Sequence, residues 1–168
     1  ALVKDVHAVT VDASPSNLIT GNGPLFFAAF DGLAGNELWK SDGTAAGTAL
    51  VKDIIPGGGG SNPSALANLN GTLLFQATDG ANGTELWKSD GTVAGTVMVK
   101  DIRPGPSGSN PSFLTSVGNV IYFAADDGTN GNELWRTDGA AAGTGLVLRE
   151  ARSKPAGPRF TAVLVRMV

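Results

Sequence analysis

Apolar positions along the chain fall in short runs. The clearest is TLLFQAT at residues 72–78, with sister runs LFFAA at 25–29 and IYFAA at 121–125. Runs this short, bounded by turn residues, predict strands covered on both faces. A different stretch precedes each run. At 65–69 (ALANL) and 113–117 (FLTSV) apolar residues alternate with small or polar ones, as in a half-buried strand. After each run comes ELWK or ELWR, as at 85–88, where Leu86 and Trp87 project to opposite sides. A fourth piece, such as VMVKDI at 97–102, completes the set.

The spacers carry turn chemistry. Gly71, Gly118-Asn119 and Gly21-Asn22-Gly23 suit tight turns between the first and second strands. DGANG at 79–83 joins the second to the third, and SDGTVAGT at 89–96 joins the third to the fourth. Glycine takes positive φ freely, and an Asp side chain bonds nearby backbone N–H groups. The longest link is DIRPGPSGSNP at 101–111, and nothing in it reads as a helix.

The whole set recurs every 48 residues. ELWKSDGT begins at Glu37 and again at Glu85, and ELWRTDGA begins at Glu133. Pro15, Pro63 and Pro111 keep the interval, as do VKDV at 3–6 and VKDI at 51–54 and 99–102. After Thr144 a one-residue slip aligns 146–148 with 97–99 and Pro158-Arg159-Phe160 with Pro111-Ser112-Phe113. The units are therefore a partial one at 1–12, full ones at about 13–60, 61–108 and 109–155, and a degenerate partial one at 156–168. Together they make 3.5 repeats (168/48) in a single repeat domain.

Four short antiparallel strands per unit, then a longer crossing, describe a β-propeller blade in an all-β fold. A β-solenoid and a β-sandwich are the other architectures that such strands allow. The string ELWKSDGTxxGT followed by VKDI resembles the ELWxxDGT tandem-repeat family of bacterial proteins, many of them exported. The likeness spans nearly the whole chain, weakens after Thr144, and departs at Ala140, where Thr is expected. It implies strand-rich arrays in an extracellular or cell-surface setting, and supplies no catalytic residues. No signal peptide is expected within the chain, whose opening ALVKDV matches the middle of a repeat, as in a piece of a longer array.

A closed propeller needs about four to eight blades, more than one chain provides. Exposed blade faces invite association, so a homo-oligomer that closes the incomplete ring is expected, a two-fold dimer being simplest. Two chains of 3.5 units sum to seven blades, within a range of six to eight. In that reading a strand at 2–6 of one chain pairs near a strand at 160–168 of the other.

Composition narrows the function classes. Hydrophobic residues at 42% against 16% charged exclude a charge-driven disordered chain. A net charge of −3 gives no footprint for nucleic acid. There is no cysteine, hence no disulfide framework or thiolate metal site. No apolar run approaches the roughly 20 residues of a membrane-spanning helix.

Candidate chemistry is sparse. His7 is the single histidine and reads as a solvated loop residue. GxSxG, P-loop and GxGxxG motifs are absent, so no catalytic residue is assigned and an enzyme is not expected. The acids Asp31, Asp79 and Asp127 stand six residues before Glu37, Glu85 and Glu133. With Asn82-Gly83 and Asn130-Gly131 between them, they offer oxygens that can hold calcium. Alternatively Asp caps the turn, Asn is left-handed and Glu pairs with a neighbouring Lys. Trp39, Trp87 and Trp135 either stack on sugar rings or pack between blades. Asp42, Asp90 and Asp138 read as turn-formers, and Lys52-Asp53 and Lys100-Asp101 as partners for neighbouring strands. The leading reading is a non-catalytic binding or scaffolding surface. A lectin-like carbohydrate-binding propeller, calcium-assisted, comes second, and a hydrolase with its site in a central channel third.

Overall fold

A computed structural model describes residues 2–7, 12–21 and 23–147. Among these the chain is all-β, without helices. Three four-stranded antiparallel sheets follow one another. The first holds β1 (Ser16–Thr20), β2 (Leu25–Phe30), β3 (Asn36–Ser41) and β4 (Ala49–Lys52). The second holds β5 (Ser64–Leu69), β6 (Thr72–Thr78), β7 (Thr84–Ser89) and β8 (Val97–Lys100). The third holds β9 (Ser112–Val117), β10 (Val120–Asp126), β11 (Asn132–Thr137) and β12 (Gly145–Leu146). Each is a simple meander in chain order.

Registers repeat with the sequence. Phe27 faces Trp39, Phe75 faces Trp87 and Phe123 faces Trp135 across the second and third strands. Trp39, Trp87 and Trp135 in turn face Leu50, Met98 and Leu146, which are 48 residues apart. The structure thus corrects the slip after Thr144: the interval holds through Leu146, because ladder pairing fixes which residue meets the Trp. It also corrects the expected strand at 2–6, which forms no ladder. The stretch 160–168 lies outside the described residues.

The first strands β1, β5 and β9 lie side by side. Asn17 donates to the Pro63 carbonyl (3.4 Å), Asn68 to that of Thr20 (3.2 Å), and the Ser116 hydroxyl to that of Asn68 (2.6 Å). Each strand opens with an irregular register at a left-handed residue: Asn17, Ala65 or Phe113, with φ of 54°, 51° and 56°.

Every sheet has a front face bearing its Trp and a rear face bearing the Leu of ELW. The rear of the first sheet (Phe26, Leu38, Val51) packs on the front of the second (Leu73, Phe75, Ala77, Trp87). The rear of the second (Leu74, Leu86, Val99) packs on the front of the third (Ile121, Phe123, Ala125, Trp135). This is why the second strands are apolar on both sides.

Polar fasteners frame these two joints. Lys40 reaches across to the carbonyl of Gly91 (2.7 Å), and Lys88 to that of Gly139 (2.9 Å). Lys52 reaches Thr96 (2.8 Å) and Lys100 reaches Thr144 (2.9 Å) in the same way. The crossing from one sheet to the next is held by a buried carboxylate. Glu85 accepts from the Ile102 and Arg103 N–H groups (both 3.1 Å), the Ser109 N–H (2.8 Å) and the Ser109 hydroxyl (2.6 Å). Glu37 accepts the N–H of Ser61 (2.7 Å) and its hydroxyl. At this crossing Gly83 and Gly108 pack backbone to backbone at positive φ, leaving no room for a Cβ.

Removing the Glu85 carboxylate strands three buried donors and one part-buried one, a buried donor costing roughly 1–3 kcal/mol when unmatched. Urea unfolding of Glu85→Ala is therefore expected to show a loss of at least about 3 kcal/mol, and Ser109→Ala about 1–2 kcal/mol. Unchanged midpoints would show that this grip does not hold the sheets together.

Candidate functional site

The repeated motif is the chain's most distinctive feature. In ELWKSDGTVAGT the Glu holds the crossing, the Leu and Trp fill opposite joints, and the Lys bonds the next sheet. The hydroxyl of Ser89 pairs with that of Thr96 (2.7 Å) and accepts the Gly91 N–H (3.0 Å). Asp90 accepts the Thr92 N–H (2.8 Å) and hydroxyl (2.7 Å). That Thr92 oxygen then accepts the Gly95 N–H (2.9 Å), and Thr96 bonds back to the Thr92 carbonyl (2.7 Å). Gly91 has φ of 85°, and Gly95 is glycine because the Asp90 carboxylate fills the space of a Cβ. Asp42 makes the same turn in the first sheet, and Asp138 accepts the Ala140 N–H (2.9 Å) in the third. Ala140 offers no hydroxyl, so Gly143 N–H bonds the Ala140 carbonyl instead (3.1 Å).

The paired acids stand apart in role. Asp31 accepts the N–H groups of Leu33 (2.9 Å) and Ala34 (2.8 Å). Asp79 accepts those of Ala81 and Asn82 together with the Asn82 amide (2.7 Å), and Asp127 those of Thr129 and Asn130 together with the Asn130 amide (2.7 Å). The left-handed residues of these turns are their glycines, Gly32 and Gly35, Gly80 and Gly83, Gly128 and Gly131, not the Asn residues. Glu37 and Glu85 hold serines and backbone rather than a Lys. Glu133 is half-buried on β11. Among the described residues no group of three or more His, Cys, Asp or Glu comes together as a metal cluster.

Trp39, Trp87 and Trp135 are all buried, at 6%, 7% and 6% exposure. Among the described residues their indole N–H groups find no partner, and neither do Asp53 Oδ1 and Asp101 Oδ1. Lys100 lies 5.9 Å from the centre of the Trp135 ring, a cation–π contact across the joint. His7 is not a solvated loop residue: it is buried, stacked on Phe30 at 5.5 Å, and fits because Gly32 has no side chain.

Two recesses among the described residues bear on ligand binding. A groove of about 380 Å³ lies between residues 2–6 and the front of the first sheet, under Leu18, Leu25 and Phe27. A polar pocket of about 410 Å³ between the second and third sheets is lined by Asn70, Thr72, Lys88, Asn119 and Asp138, with Leu69 as its apolar side. Sequence reasoning missed the bridges of Lys40 and Lys88 and the gripped serines, although a Lys after every Trp in the first two units was a visible signal. The polar pocket left no such signal: Lys88 and Asp138 repeat, but the pocket forms only where two units meet and its Asn70, Thr72 and Asn119 do not recur as a set.

No family model matches the chain, and no curated protein or solved structure matches it.

The carboxylates titrate in opposite senses. Burial pushes Glu37 and Glu85 above the ordinary glutamate value of 4.5, outweighing the hydrogen bonds from Ser61 and Ser109. Hydrogen bonds from Thr44 and Thr92 hold Asp42 and Asp90 below the ordinary 3.8, as the Asn130 amides do for Asp127. Burial opposes this at Asp79, but the bonds from Asn82 and Ala81 prevail. A lowered Asp contributes stability above 3.8 that is lost as pH falls through its folded value. A raised Glu binds protons more tightly when folded, so stability declines as pH rises from 4.5 to its folded value. Denaturation midpoints measured against pH are expected to fall on both sides of a maximum near that crossover. In Glu85→Gln the decline on the alkaline side should shrink; an unchanged slope would show that Glu85 does not titrate there.

The three tryptophans are the only ones in the chain. Native emission should therefore be blue-shifted and weakly quenched by iodide. Red-shifted, readily quenched emission would put the rings at the surface, where they can stack on sugars.

Proposed function

We infer that the chain is a non-catalytic β-propeller repeat module. Its sheets are blades, and it serves as a binding or scaffolding surface in the extracellular or cell-surface setting of the bacterial arrays it resembles. One observation carries this reading. The carboxylates and hydroxyls of the ELWKSDGTxxGT motif are engaged by the chain's own backbone and hydroxyls, in two sheets with like geometry. Repetition of this kind serves stacking, since each blade buries its faces only against a neighbour.

A second reading is favoured by the polar pocket. A carboxylate (Asp138), two amides (Asn70, Asn119), a hydroxyl (Thr72) and the flank of Leu69 make a set suited to a sugar's hydroxyls and apolar face. There Ala140 leaves Asp138 without the hydroxyl bond that Asp42 and Asp90 receive.

A glycan array run with and without calcium, beside a panel of glycoside, ester and peptide substrates, tests both. The scaffold reading expects no turnover and no retained glycan. A retained glycan lost in Asp138→Asn moves the function to the pocket, and any turnover by the purified chain removes both readings.

A further inference from the structure

The rear face of the third sheet is built like the two buried rear faces, yet no described residue covers it. Leu38 and Leu86 are 0% exposed, whereas Leu134, at the same place in the repeat, is 50% exposed. Phe26 and Leu74 are buried at 2% and 0%, while Tyr122 in their position is only half-buried. Lys40 and Lys88 bond turn carbonyls of the following sheet, and Arg136 at the same position is exposed.

The molecule itself shows what covers such a face. At both internal joints it is the front of a sheet from this same repeat, with its Phe and Trp in the centre and a turn glycine carbonyl at the edge. The first sheet has a front that no described sheet precedes. There residues 2–6 already take the outer place of a preceding fourth strand: Lys4 donates to the Thr48 carbonyl (2.7 Å), as Lys52 and Lys100 do to Thr96 and Thr144. Val6 covers the outer part of the front, over Phe27 and Trp39. The inner part keeps the open groove, rimmed by Leu18 (61% exposed) and Leu2 (82%). A sheet arriving on this front needs to bring its first three strands and little of a fourth.

We propose that a second copy of this chain covers the open face. The rear of the third sheet of one protomer docks on the front of the first sheet of its partner, and Arg136 reaches for the Gly43 carbonyl as Lys40 and Lys88 reach Gly91 and Gly139. Two copies joined twice in this way close a ring of six sheets by two-fold rotation, within the range of about four to eight that propellers use. The joint is front to rear, so its halves are different surfaces. The docking deepens the repeat-module reading above and depends on it.

Sedimentation over a wide concentration range tests it, with Leu134→Asp blocking the rear and Leu18→Asp blocking the front. Both side chains are exposed, and circular dichroism with the urea midpoint checks that each variant folds. The unaltered chain is expected at twice its 17.0 kDa as concentration rises. Each variant alone should associate roughly a hundredfold more weakly. An equal mixture of the two should recover a two-chain species, because one good front meets one good rear. A folded parent that stays at 17.0 kDa throughout overturns the proposal, as it would if residues 148–168 covered the face. So does a Leu18→Asp chain that still pairs fully, which signals a rear-to-rear joint, or a mixture that stays single. A single chain that still shows no turnover leaves the scaffold reading standing and removes only the docking.

Discussion

The fold turns on a carboxylate that should not tolerate its position. Glu37 and Glu85 are fully buried, and a buried charge is stable only when its lone pairs are filled. Ser109 and two further backbone amides fill those of Glu85, and all three lie on the crossing to the next sheet. The carboxylate therefore dictates where that crossing runs, and the crossing dictates where the next first strand begins. Stacking of the apolar faces follows from this placement. Ala13 holds the place of Ser61 and Ser109 at the entry to β1 and has no hydroxyl to offer, so the first sheet enters on different terms.

Because the motif is committed to folding, differences between the copies carry the individuality of the chain. Ala140 removes a hydroxyl that the first two turns use. Phe113 stands at a bulge in the left-handed region, 81% exposed, where the other copies have Asn17 and Ala65. A bulky residue held there costs about 1–2 kcal/mol, which the small Asn and Ala positions relieve only in part. Arg136 replaces a lysine at the face that no described sheet follows. Each departure falls at or beside the third sheet, and two of them border the open rear face or the polar pocket.

Much of the strand plan was legible in the sequence. Runs such as TLLFQAT are apolar on both faces, and alternation of period two leaves no room for a helix. The turn aspartates were legible too, since an Asp before Gly has few other local partners. The partners of Glu37 and Glu85 were not. A serine 24 residues downstream comes within reach only after a whole strand and a crossing have been placed. His7 was misjudged for the same reason: its stacking partner Phe30 and the vacancy at Gly32 are invisible until the chain returns past its own start. The apparent slip after Thr144 came from matching letters, whereas the ladder aligns backbone and sets Leu146 against Trp135.

The sequence by itself determined the period, the strands and the turns, because these depend on local side-chain alternation and on which residues accept left-handed backbone. Only the tertiary structure decided which face of each sheet meets which neighbour, that the tryptophans are interior, and that one Leu of three stays half in water. Those outcomes depend on which sheet stands on either side of a residue, and three identical letters in a repeat cannot differ until each has been placed beside its neighbours.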